Sequence, residues 1–186
     1  VVEIESIGGQ PVILLRNEGV SLINTGARPK MAAETVQTAL SRWNAVGLET
    51  ILCTTGDYKT QGGLWAVTDV AEAERILLPS SSAEVPSTLV DQAVTTYSRS
   101  GSVTVSGSTV QLLSTGEDTF ALRLLCDRFS LFSLCGIKET TVPEVLQNHE
   151  CAADILLIFG PLMLRNTIAF ADETVVAMED NISVLW

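Results

Sequence analysis

The sequence predicts an α/β (α+β) chain folded as a four-layer αββα sandwich, or a shortened version of one. Two observations predict it. The chain twice runs from an antiparallel β-meander into β/α units, and two such halves bury their apolar faces most economically by packing sheet on sheet with helices outside. Its 186 residues are 46% apolar and only 18% charged, enough to fill a proper core in one domain. That domain divides into two ββα halves, about 1–85 and 86–186.

The opening meander is read from Val1 to Ile7 and Pro11 to Arg16, joined by Gly8-Gly9-Gln10, with Val20 to Ile23 after the turn at Asn17-Glu18-Gly19. Ala32 to Val46 places Val36, Ala39, Leu40, Trp43 and Val46 on one helical stripe that Gly47 stops. Glu49 to Cys53 is a buried strand, Leu64 to Ala73 a second helix and Arg75 to Leu78 the next strand. The Ser-rich stretch Pro79 to Pro86, with Ser80-Ser81-Ser82 as plain linker, is the natural hinge, and Ser87 to Tyr97 reads as a helix with Leu89, Ala93, Val94 and Tyr97 on one side. A second meander follows over Ser102 to Val105, Thr109 to Ser114, Thr119 to Cys126 and Phe129 to Cys135, rich in β-branched and aromatic residues. Val142 to His149 is a short helix with Pro143 in its first turn, and Ala153 to Phe159 a buried strand. Asn166 to Ala171, Thr174 to Met178 and Ile182 to Trp186 read as closing strands.

Composition excludes several functions. Eleven Lys and Arg against 22 Asp and Glu give a net charge of −11, which repels nucleic-acid phosphates and anionic lipid. No apolar run reaches the roughly 18 residues of a membrane span; Ala152 to Leu164 is interrupted by Asp154, Gly160 and Pro161. The chain starts at Val1 and shows no targeting signal, so the expectation is an excised, water-soluble domain. Cys53, Cys126, Cys135 and Cys151 form no C-x-x-C pair and read as buried free thiols. A hairpin turning at Asp127-Arg128 would set Cys126 some ~20 Å from Cys135 at ~3.3 Å per residue, which forbids a bridge between them.

In the sandwich the loops Thr54 to Gly63, Cys135 to Ile137 and Phe159 to Leu162 converge at one rim. With the opening meander, they carry a resemblance that spans nearly the whole chain. Ser6-Ile7-Gly8-Gly9-Gln10 before Val12-Ile13-Leu14-Leu15, Leu22-Ile23-Asn24-Thr25-Gly26, and the Gly62-Gly63 pair are similar to framing motifs of the metallo-β-lactamase superfamily. Within it, the chain resembles the C-terminal domain of the DNA-internalisation competence protein ComEC. The family's metal signature, Leu-Thr-His-x-Asp-x-Asp-His-x-Gly-Gly, laid on Gly62 and Gly63, puts Thr55 and Thr60 in the His places, Asp57 on an Asp and Lys59 on the last Asp. Ile137 stands where the family has a metal-bridging Asp, and Phe159-Gly160-Pro161 where it has Pro-His-His.

A two-metal hydrolytic site needs several His and carboxylate ligands together to hold the ions and acidify a bound water. The one histidine, His149, lies near the end of a predicted short helix and reads as a surface or capping residue. Lys59 adds a positive charge where a cation would bind. The expectation is a degenerate site with no catalytic residue, metal or cofactor: a pseudoenzyme acting structurally or through protein contacts. The resemblance implies a membrane-associated parent in DNA uptake, this chain being its soluble domain. Its partners would be that parent or other competence machinery, with DNA reached only indirectly.

Two alternatives stay open. One is a metal-independent or residual hydrolase or nuclease using Thr55, Asp57, Lys59 and Thr60, against which Asp57 also reads as a turn residue bonding loop N–H groups. The other is a small-ligand module whose old cavity is lined by Cys53, Tyr58, Cys135, Ile137, Phe159 and Leu162. Trp43, Trp65 and Trp186 read as core or interface anchors, since no basic residues interleave with them.

Overall fold

The computed structural model describes residues 1–80, 89, 93–116, 119–134, 153–159, 171–178 and 184–185. The meander forms as read, as β1 (Val2–Ser6), β2 (Pro11–Arg16) and β3 (Val20–Ile23). β4 (Leu48–Leu52) and β5 (Ala73–Pro79) then add in parallel. Along these strands neighbouring residues face opposite cores. Val12, Leu14, Leu22, Ile51 and Ile76 pack against helices, while Ile13, Leu15, Ile23, Leu52 and Leu77 pack against the other sheet. Burial on both faces explains why these strands read as unbroken apolar runs.

Helix α1 (Pro29–Trp43) starts at Pro29 and ends at Asn44, which adopts left-handed backbone (φ 50°) and donates its N–H to the Leu40 and Ser41 carbonyls. The stop therefore falls before Gly47, because Asn tolerates the αL cap without glycine. Ala32, Val36, Ala39, Leu40 and Trp43 are its buried stripe. The buried Glu3 carboxylate pairs with Arg42, tying α1 to β1. The second predicted helix forms as α3 (Leu64–Val70), ending before Ala73, where β5 begins, and an unexpected four-residue helix, α2 (Tyr58–Gln61), lies in the loop before it.

The helix expected over Ser87 to Tyr97 is corrected at its described end. Val94–Tyr97 is strand β6, parallel to β5 with Ile76 opposite Val94 and Pro79 opposite Tyr97. Three β-branched residues and a tyrosine favour the pleated edge, and the apparent helical stripe through Val94 and Tyr97 was a coincidence of spacing.

The second sheet holds β7 (Gly101–Val105), β8 (Ser108–Gly116), β9 (Thr119–Leu125), β10 (Ser130–Ser133), β11 (Ala153–Phe159) and β12 (Ala171–Met178). Its strand order is β12-β11-β10-β9-β8-β7, and the first sheet's is β13-β1-β2-β3-β4-β5-β6, where β13 is Val184–Leu185. Cys126 donates its N–H to the Phe129 carbonyl (2.9 Å), which places the hairpin turn at Asp127-Arg128 as read. Phe120, Leu122, Leu124, Leu131, Ile155 and Leu157 face Ile4, Ile13 and Leu52 across the sandwich. The described helices all pack on the first sheet. The short helix read at 142–149 lies outside the described residues, as does the strand read at 166–171 except for Ala171, which begins β12.

At the rim where β3 and β4 begin, polar side chains join the sheets. The Ser21 and Ser106 hydroxyls lie 2.6 Å apart, and Ser106 N–H donates to the Glu49 carboxylate at 3.2 Å. Arg75 donates to the Thr50 hydroxyl through Nε (3.2 Å) and Nη2 (2.9 Å), and through Nη2 to the Thr104 carbonyl (2.7 Å).

Candidate functional site

The loop after β4 occupies the opposite rim, where β4 ends and α2 and α3 begin. Its entry is fixed by Asn24, in left-handed conformation (φ 60°) just past β3. Asn24 Oδ1 accepts both the Thr54 N–H (2.9 Å) and the Thr54 hydroxyl (3.1 Å), and its own N–H donates to the Leu52 carbonyl at 2.7 Å. The Cys53 carbonyl accepts from the Tyr97 hydroxyl. Burial pushes the Cys53 thiol up to about 12, so at neutral pH it supplies no thiolate for metal binding or attack.

Thr55 and Thr60, which the resemblance sets in the histidine places, are 3% and 1% exposed. Their hydroxyls lie 2.6 Å apart, and Thr60 Oγ1 is also 3.0 Å from the Thr55 carbonyl it can donate to. Gln61 Nε2 donates to the same carbonyl at 2.8 Å. Asp57 Oδ1 accepts the Thr60 N–H (3.1 Å) and so caps α2. Lys59 and Asp57 are exposed. Thr25 bonds the Thr60 carbonyl through its N–H (2.8 Å) and hydroxyl (3.0 Å). Gly63 closes the loop: a Cβ there would come within 2.6 Å of both the Ala32 Cβ and the Thr25 carbonyl. On the other side, Phe120 N–H donates to the Thr54 carbonyl (3.1 Å) and Thr55 bridges to Thr119.

The structure therefore brings Thr55 and Thr60 together, gives Asp57 to a helix cap and leaves Lys59 on the surface. This donor set does not fit the metal pair that the fold implies. Two neutral hydroxyls bonded to each other are poor ligands beside imidazole and carboxylate, and the one carboxylate is aimed at a backbone N–H. Among the described residues, no three His, Cys, Asp or Glu side chains gather where they could hold an ion.

Ile137, Gly160 and Pro161 lie outside the described residues, as do Cys135, His149, Cys151, Leu162 and Trp186. The strands leading to the remote loops are placed, however. β10 and β11 run parallel, with Ser133 opposite Leu157, and antiparallel to β9, so both end at the rim where β9 begins and meets Thr54 and Thr55. The apolar lining that would join Tyr58 to Cys53 is corrected: Tyr58 is 63% exposed and Cys53 fully buried, because α2 turns the tyrosine outward over Gly62. A cleft of about 750 Å³ opens instead at the far rim, lined by Arg16, Glu18, Trp43, Val46 and Glu72 among others. Trp43 is core, while Trp65 is 55% exposed. The sequence reading gave no role to Asn24, Gln61 or Tyr97; only Asn24 carried a signal, as the Asn in Leu-Ile-Asn-Thr-Gly.

No family model and no curated protein matches the sequence. Solved structures do match. A metallo-β-lactamase from Cronobacter sakazakii with the HARLDQ motif aligns at TM-score 0.61 and 15% identity, over 84% of this chain and 76% of that one. A β-lactamase from Chitinophaga pinensis aligns at 0.60 and 12%, over 84% and 77%. The class B3 di-zinc metallo-β-lactamase LRA-12 from an Alaskan soil metagenome aligns at 0.57 and 9%, over 86% and 78%. This chain has the metallo-β-lactamase fold. At such identities the likeness is one of architecture, and it carries no ligand set with it.

Proposed function

We propose that this chain is a non-catalytic metallo-β-lactamase-fold domain of a ComEC-like competence protein, acting in DNA uptake as a structural or protein-binding element. The observation that carries the non-catalytic reading is the buried Thr55–Thr60 hydroxyl pair, 2.6 Å apart, in the two histidine places. A metal-free loop needs internal partners for its buried polar groups, and here every hydroxyl named has one. The ComEC assignment rests on the framing motifs around Gly8-Gly9, Asn24-Thr25-Gly26 and Gly62-Gly63. On this reading the partner is the membrane-associated parent or another competence protein, and the net charge of −11 keeps the domain from gripping DNA itself.

The residual-hydrolase reading draws no support from the loop. Thr55 and Thr60 are buried, their hydroxyls engage one another, and Asp57 Oδ1 faces a backbone N–H rather than either hydroxyl. Activation of a threonine needs a base within hydrogen-bond reach of its oxygen.

The test is metal analysis of the chain after incubation with zinc or manganese, joined to nuclease and phosphodiesterase assays. Far less than one ion per chain and rates at the blank are expected. Stoichiometric metal, with activity abolished by Asp57→Ala, overturns the proposal.

A further inference from the structure

We propose that the outer edge of β7 is an interaction surface on which a second copy of this chain adds its own β7, antiparallel and centred on Val103. Among the described strands β7 is the last of its sheet. Gly101, Ser102 and Thr104 are exposed, and a Cβ built on Gly101 would meet nothing within 4 Å. The strand, Gly-Ser-Val-Thr-Val, carries no charge and no proline, and its register against β8 is unbroken. Charge, proline and bulges are the usual devices that stop a sheet edge from pairing; the strand itself carries none, and one charge from elsewhere reaches its edge, Arg75 at the Thr104 carbonyl.

Register decides which groups face outward. The turn Ser106-Gly107, with φ 45° and 71°, closes Val105 against Ser108. The Thr104 carbonyl is taken by Arg75 from outside the β7–β8 ladder. Outward groups therefore belong to Thr104 and, two residues along, to Ser102. An antiparallel partner satisfies them when Ser102 of one copy lies opposite Thr104 of the other. Val103 then faces its own counterpart, and the pairing is two-fold. The Thr104 carbonyl keeps a second lone pair for the Ser102 N–H of the other copy.

Exposed Arg99 lies two residues before β7 and the Ser106-Gly107 turn just after it, so this register brings Arg99 of one copy toward that turn of the other. Exposed Glu18 sits at that turn, its carboxyl carbon 3.0 Å from where a Gly107 Cβ would stand. Two Arg99–Glu18 contacts thus flank a neutral centre, on a chain whose charge of −11 otherwise repels its own copy. This surface belongs to the second sheet and does not depend on how the loop after β4 is read.

Sedimentation analysis over a concentration series tests it. A weak monomer–dimer equilibrium is expected, in the range of small interfaces below about 1,200 Å². Ser102→Pro removes an outward N–H while sparing the ladder to β8, and should abolish the dimer. Arg99→Glu should weaken it about ten-fold, and Arg99→Glu combined with Glu18→Arg should restore it. The proposal is overturned by a monomer at every concentration up to about 1 mM, by a dimer indifferent to Ser102→Pro, or by a charge swap that fails to rescue.

Discussion

The two rims of the sandwich solve one problem with opposite chemistry. Where β3 and β4 begin, the sheets are joined by a carboxylate and a guanidinium: Glu49 takes the Ser106 N–H, and Arg75 links Thr50 to Thr104. Where the same strands end, at the loop after β4, the joint is made by an amide, two threonines and backbone groups. Charges suit the first rim because Arg75 and Glu49 retain partial contact with water. Neutral groups suit the second because Thr54, Thr55 and Thr60 are buried, and an unpaired ion there would be costly. A buried loop of this kind is stable only when its interior is neutral and its polar groups satisfy one another.

That contrast can be broken most forcefully at Asn24. Asn24→Ala orphans the Thr54 N–H and hydroxyl and forces alanine into left-handed backbone, for an expected loss of about 3 kcal/mol in urea unfolding. Asn24→Gly keeps the backbone free and should recover about 1 kcal/mol of it. Equal losses in the two variants would show that the hydrogen bonds alone matter.

Next comes the hydroxyl pair. Thr60→Val takes from the buried Thr55 hydroxyl its hydroxyl partner, at about 1–2 kcal/mol, and Thr55→Val leaves the Thr60 hydroxyl only backbone acceptors, at about 1 kcal/mol, whereas the double variant should cost clearly less than the sum. Strict additivity would mean that the 2.6 Å contact carries no coupling. At the charged rim Arg75→Ala, which strands the buried Thr50 hydroxyl, should cost about 1 kcal/mol, and unfolding titrations compare it directly with the neutral rim.

The smallest effect concerns pH. The Ser130 N–H and hydroxyl, bonded to Asp154, hold its carboxyl below its ordinary value. A depressed folded-state pKa contributes stability above the unfolded value and loses it as pH falls through the folded one. Asp154→Asn should therefore flatten stability only below about pH 4, as followed by acid titration of the fluorescence.

Much of this was legible in the residues. The meander, the β4–loop–α3 junction and the second meander follow from alternation and turn residues, and the hydroxyl and ammonium chemistry of Thr55, Lys59 and Thr60 follows from residue type alone. The strand Val94–Tyr97 was missed because a four-residue parallel edge leaves too short a pattern to outweigh an accidental helical stripe. The partnership of Thr55 with Thr60 was invisible for a different reason: hydroxyl pairing depends on rotamers and on α2 folding back, which no spacing rule encodes. Asn24 carried a sequence signal, but its part as acceptor for Thr54 needed the left-handed backbone to be seen.

The pairing of β13 with β1, Glu3 against Leu185 and Ile4 against Val184, bears on how the protein is made. Emerging from the ribosome, β1 can find β2 at once, yet its other edge stays bare until β13 arrives. Closing so long a stretch adds little entropy beyond that of a shorter loop, but it places a slow, non-local step last. The first sheet is thus completed only once β13, the last of its described strands in chain order, has emerged, and until then the nascent chain presents an open β-edge for chaperones to guard.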